Sequence, residues 1–135
     1  MAGPGTRSVL YRLIEAGQVA RRTLLAPLQE RGLEAGDDAL LFLLHEHPGV
    51  AEADVAAAVG IETQALRERL DRLVRRDLIA VGEAGMGLTE RGERVRAHLA
   101  AYWDEVEDAL CGDLDAKQRR KMRKALGRFV VSMQR

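Results

Sequence analysis

The sequence predicts a mainly α-helical domain in which a helix-turn-helix is followed by a small β-hairpin, with further helices on both sides. Three observations predict it. Apolar residues recur at three- and four-residue spacing along most of the chain. Prolines are few, Pro4, Pro27 and Pro48, so helices have room to run. One tract, with Gly82, Gly85 and Gly87, breaks the helical period into two brief apolar pieces.

The first element is a helix over Arg7 to Arg31. Its apolar face is Leu10, Leu13, Ile14, Gly17, Ala20, Leu24, Leu25 and Leu28. Pro27 lies inside this run and should kink or interrupt it. Gly32 and Gly36 bracket a linker, and Asp37 is expected to cap a short apolar helix that Pro48-Gly49 ends. Leu40, Leu41, Phe42, Leu43 and Leu44 are dense enough to bury that helix on most sides. Val55, Ala56 and Val59 then form a small stripe on a short helix broken by Gly60. A second helix runs from Glu62 to Arg76 with Leu66, Leu70, Leu73 and Val74 on one face. Two short helices around a tight turn are the helix-turn-helix pattern. Leu78 to Val81 and Met86 to Leu88 are expected as hairpin arms. Thr89 should cap a long helix from Glu90 to about Cys111, with Glu93 near the position of a capping-box acid. Gly112 ends that helix, and Asp115 caps a last one over Ala116 to Met133.

Composition bounds the function. The chain has 135 residues, 47% hydrophobic and 31% charged. A domain of this size buries roughly 68–70% of its unfolded surface and needs no disulfide or metal to fold. Cys111 is the single cysteine, so no internal disulfide is possible and a reducing cytoplasm is the simplest compartment. The opening MAGPGTRSVLYRL has no long apolar stretch, so no secretory signal is expected there. The longest aliphatic stretch, Ala39 to Leu44, is far too short to span a bilayer.

Net charge is zero, which excludes a strongly basic nucleic-acid coat protein. The charge is unevenly spread. Residues 37–60 carry five acids and no Lys or Arg, whereas residues 115–135 carry eight bases and one acid. No P-loop, Gly-x-Ser-x-Gly or paired-carboxylate setting stands out, so an enzyme is not expected and no cofactor is predicted. His45 and His47 are spaced i,i+2 and face apart on a helix, unlike a zinc-binding i,i+4 pair. Cys111 lies near Asp108 and Asp113 and reads as a structural thiol.

The segment HEHPGVAEADVAAAVGI, the Asp71-Arg72-Leu73 triplet in LDRLVRRDLI, and Leu88-Thr89-Glu90-Arg91-Gly92 occur in that order and spacing. Together they resemble the MarR family of winged-helix transcription regulators over about residues 10–133. The resemblance implies a winged helix-turn-helix fold: residues 1–36 an N-terminal dimerisation helix, 37–88 the DNA-reading unit, and 89–135 a long helix plus a C-terminal dimerisation helix. It implies a homodimeric, cytoplasmic regulator of transcription, a repressor relieved by a small molecule, on a pseudo-palindromic operator. Two features depart from the family pattern. The wing, VGEAGMG, lacks the family's Asp-x-Arg element, with no Arg or Lys between Arg76 and Arg91. Glu62 stands where a Ser or Thr cap is common.

With Leu66 and Leu70 toward the core, Gln64, Arg67, Glu68, Asp71 and Arg75 face outward and Arg72 lies at the edge. Gln can pair bidentately with adenine, Arg with guanine O6 and N7, and Glu can accept from cytosine. Asp71 could hold Arg67 or Arg75 by i,i+4 pairing. Arg69 and Arg76 could reach phosphates. The candidate DNA-contacting set is Thr63, Gln64, Arg67, Glu68, Arg72, Arg75 and Arg76; the competing reading is a solvated face laced with salt bridges. Each phosphate contact the short wing lacks should flatten the salt dependence of binding by ~0.9 log unit. Met122, Leu126, Phe129, Val130 and Met133 form an apolar face on the last helix, suited to a two-fold dimer that sets reading helices ~34 Å apart. The acidic residues Asp104, Glu105, Glu107 and Asp108 complement the basic last helix. Its bases, among them Lys117, Arg120 and Lys124, could otherwise meet nucleic acid or an anionic membrane. Candidate lining residues for a small aromatic effector are Tyr11, His45, Tyr102 and Trp103, against which stands the favoured reading of ordinary core or interface residues. The alternative function is a winged-helix protein-interaction module that has lost its wing and binds DNA weakly or not at all.

Overall fold

The computed structural model describes residues 5–133. The elements run α1 Val9–Glu30, α2 Asp37–Glu46, α3 Glu52–Val59, α4 Thr63–Arg75, β1 Ile79–Gly82, β2 Gly85–Leu88, α5 Glu90–Leu110 and α6 Ala116–Met133. The helix-turn-helix and hairpin stand where the periodicity places them. Of the two terminal segments expected, residues 1–4 and 134–135 lie outside the described residues.

The core draws on every element except α6, which has no buried residue. Leu24 and Leu28 of α1, Leu40, Leu41 and Leu44 of α2, and Val55 of α3 meet Leu66, Leu70 and Leu73 of α4. Leu78, Ile79, Met86 and Leu99 close it from the hairpin and α5. Each buried leucine contributes about 1.5–3 kcal/mol relative to exposure.

Several local expectations change. Helix α1 runs through Pro27 without a break. Proline removes one backbone donor there, but Leu24 and Leu28 on either side are locked into the core and hold the turn. The apolar face of α1 also divides. Its C-terminal half packs inward, while Leu10, Leu13 and Ile14 stand exposed. Val74 is 41% exposed rather than part of the α4 core stripe. One hundred degrees per residue carries it past Leu70 and Leu73 to the side facing the hairpin.

Asp37 is not the cap of α2. Gly36 occupies that place with φ 96°, and Asp37 is the first helical residue, fully buried. A side chain at Gly36 would stand 2.6 Å from the Arg69 guanidinium, so glycine lets Arg69 pass. Gly60, φ 71°, makes the tight turn between α3 and α4.

The hairpin pairs Ile79 with Leu88 and Gly82 with Gly85, each arm displaced one residue from the expected start. The Gly49 N–H donates to the Met86 carbonyl at 2.7 Å and pins the hairpin to the α2–α3 connection. Thr89 caps α5 by accepting from the Gly92 N–H. Glu93 does not complete a capping box, because the Thr89 N–H already donates to Leu78; it pairs instead with His45 at 2.8 Å. The box forms at α6, where Asp115 accepts from Gln118 and the Gln118 side chain accepts from the Asp115 N–H. Arg119 then ties α6 to the end of α5 through Asp108 and the Cys111 carbonyl. Among the described residues, no helix is long and apolar enough to cross a membrane.

Candidate nucleic-acid interface

Helix α4 has two polar faces with opposite fates. On the inner one, Arg72 donates to both oxygens of Asp37 at 2.9 Å, and Arg69 donates to Asp37 at 2.9 Å and to the Ala35 carbonyl at 3.0 Å. Arg76 donates to the carbonyls of Gly32 and Arg31. The Asp37 carboxylate also accepts the Glu34 N–H. Hydrogen bonding to Asp37 raises the Arg72 pKa above its ordinary value, against partial desolvation. Arg72 is thus not an edge residue waiting for DNA, and Arg69 and Arg76 do not point at open solvent: all three fasten α4 to the linker and α2. For Arg69 and Arg72 the reason is Asp37, a fully buried carboxylate that needs cations around it; for Arg76 it is the pair of linker carbonyls.

The next residue, Asp38, is also fully buried and faces the other way. Arg21 of α1 donates to it at 2.9 and 3.2 Å, and the Trp103 indole of α5 donates at 3.0 Å. Adjacent carboxylates at the start of α2 therefore tie α4 on one side and the long helices α1 and α5 on the other.

On the outer face, Thr63, Gln64, Arg67, Glu68, Asp71 and Arg75 are all exposed. The Arg67 guanidinium meets Glu52 of α3 side-on, Nε at 2.8 Å from one carboxylate oxygen and Nη2 at 3.0 Å from the other. Its pKa is raised, first by that hydrogen bond and then by the charge of Glu52, with Asp71 a lesser contributor. Asp71 is expected to hold Arg67 or Arg75, and among the described residues it pairs with neither; the partner across the turn, Glu52, holds Arg67. Arg75 carries no side-chain partner among the described residues. The hairpin tip adds Glu83 and no base, and a groove of about 490 Å³ between hairpin and α4 is lined by Val74, Val81, Asp71 and Glu83.

The four candidate effector residues do not converge. Tyr11 lies near the exposed start of α1, and His45 pairs with Glu93. Tyr102 lies under the Arg31 guanidinium, 5.3 Å from its ring centre. Trp103 packs edge-on against Phe42 at 4.7 Å and alone of the four lines the cavity of about 580 Å³ with Arg21, Phe42, Leu43, Val59 and Arg69. Asp37, Asp38, Glu52 and Arg21 were missed by sequence reasoning, since their partners are 15 to 65 residues away. Among the described residues, no group of three or more His, Cys, Asp and Glu side chains could hold a metal ion.

No protein-family model and no curated protein matches this sequence. Solved structures do. CouR from Rhodococcus jostii RHA1, bound to p-coumaroyl-CoA, is similar at TM-score 0.86 and 21% identity over 96% of each chain. A DNA complex of MepR from S. aureus is similar at TM-score 0.78 and 20% identity, over 96% of this chain and 99% of that one. The MarR family protein Rv2887 of Mycobacterium tuberculosis, in complex with DNA, is similar at TM-score 0.73 and 24% identity, over 90% and 97%. The chain therefore has the winged-helix fold of MarR family regulators, terminal helices included.

Proposed function

We propose that this chain is a DNA-binding regulator of transcription that acts as a homodimer, with a small anionic aromatic molecule as its effector. The observation that carries the reading is the outer face of α4. Its polar residues stand open to solvent while the three inner arginines hold the helix rigidly in place. Rigid mounting matters because a reading helix must present side chains to base edges without reorganising. Two like-folded proteins are DNA complexes, which supports the same use here.

The dimer reading rests on apolar surface. Leu10 and Ile14 on α1, and Met122, Phe129 and Val130 on α6, are exposed at helical spacing. Such patches on terminal helices are costly to leave in water, and a second copy would cover them. On this reading residues 1–36 and 89–135 join the subunits, and residues 37–88 meet DNA. The effector would occupy the cavity beside Trp103, where Arg21 and Arg69 offer guanidinium groups near aromatic walls. An anion there competes with Asp38 for Arg21 and with Asp37 for Arg69, so it acts on both ties at once.

One observation favours a second reading. Glu62, Glu68, Asp71 and Glu83 outnumber Arg67 and Arg75 on the exposed α4 and hairpin surface, and phosphates are repelled by acids. A protein-interaction module of weak or no DNA affinity would carry such a surface. Sedimentation of the purified chain, together with gel retardation on the intergenic DNA beside its own gene at low salt, separates the two. A dimer that retards this duplex supports the regulator; a chain that retards no duplex supports the interaction module.

A further inference from the structure

The contact between Glu52 and Arg67 has a geometry that goes beyond tying α3 to α4. A guanidinium carries five N–H groups in one plane. Here the Nε–H and one Nη2–H are taken by the two oxygens of Glu52. Both hydrogens on Nη1 and the second on Nη2 remain; one from each Nη points off the end of the group, an edge that adjoins the occupied one in the same plane. That free edge presents two parallel donors at the spacing that matches guanine O6 and N7. The Arg67 side chain is 60% exposed and Glu52 is 29% exposed, so the arginine stands beyond its buttress. Arg75, two turns further along α4, has no such partner among the described residues.

Resting on the DNA-binding reading above, we propose that Glu52 is a positioning residue that aims Arg67 at a guanine, one per half-site, and so sets sequence specificity. Glu52 itself touches no base. It holds the long arginine side chain in one conformation before DNA arrives, so less rotamer freedom is lost on binding. It also adds a negative charge beside the duplex. The two effects oppose: the carboxylate weakens non-specific attraction to phosphates while strengthening discrimination at one base pair.

The test is a selection of preferred duplexes by the full-length wild-type chain, followed by titration of wild type, Glu52→Gln, Arg67→Ala and the double variant on the selected duplex. The same proteins are titrated on that duplex with the guanine replaced and on an unrelated duplex. Circular dichroism establishes that each variant is folded, and Glu52→Asp, which keeps the charge but shortens the reach, provides a second variant. The assignment expects Glu52→Gln to lose about ten-fold in preference for guanine at one position, with equal or tighter binding to the unrelated duplex. Glu52→Asp loses part of that preference without the non-specific gain. Arg67→Ala abolishes preference at the same position, and the double variant loses no more than Arg67→Ala alone. Full guanine preference in Glu52→Gln overturns the assignment and leaves the DNA reading standing. So does a guanine preference in that variant greater than that of wild type, which would make Glu52 a restraint that withholds Arg67. A wild-type chain that selects no duplex overturns both.

Discussion

The inner and outer faces of α4 use the same residue type for opposite ends. Arg69, Arg72 and Arg76 are pulled down onto Asp37 and the α1–α2 linker carbonyls; Arg67 and Arg75 stand on the open side. The difference lies in what surrounds them, not in the helix. A buried carboxylate cannot remain charged without cations, so Asp37 claims the arginines one turn apart on the facing side. On the other side, among the described residues, only Glu52 reaches across the turn, leaving one guanidinium edge unused. Anchoring is therefore separable from reading, and substitutions on the two faces should have different signatures.

The largest effect is expected on the inner face. Asp37→Ala strips Arg69 and Arg72 of their shared partner and should cost about 3 kcal/mol, read as a lower urea midpoint. Arg75→Ala should change stability by less than ~0.5 kcal/mol. Equal costs would abolish the distinction between the faces. The salt dependence of DNA binding sharpens the outer face. It should be shallower than a slope of ~−8 to −10, because the hairpin offers no cation, and Glu83→Arg should steepen it by ~0.9 for each phosphate reached. A wild-type slope already that steep would make the short hairpin irrelevant. The smallest effect is expected where α4 ends. Asp77 has φ 59°, with the Leu78 N–H donating back to the Leu73 carbonyl. Asp77→Gly relieves the left-handed strain and should raise stability by up to ~1 kcal/mol while leaving DNA affinity unchanged.

The contrast between the faces also marks where the sequence was informative. Leu66, Leu70 and Leu73 announce the buried stripe of α4 because burial follows a local period. Gly60 and the glycines of the hairpin announce the turns for the same reason: backbone conformation is decided within a few residues. Asp37 reads locally as a helix cap, and nothing within a turn of it reveals that Arg69 and Arg72, more than thirty residues away, will close over it. Arginines on a polar helix edge look outward by default, and only the fold brings a buried carboxylate beneath them. The same non-locality hid Asp38 from Trp103, and Glu52 from Arg67. Tyr11, His45, Tyr102 and Trp103 share an aromatic or imidazole ring but not a location, since residue type alone carries no distance. Glu93 looked like a capping acid, yet it lies one position beyond the reach of the Thr89 N–H, and His45 takes it instead.

The most direct measurement is binding of the purified chain to the intergenic DNA beside its own gene, compared with a variant carrying Arg67→Ala and Arg75→Ala together. The wild-type chain should bind as a dimer, and the variant should lose binding while keeping its urea midpoint and its dimer. Undiminished binding by the variant, or a wild-type chain that stays a monomer at every concentration, would contradict this expectation.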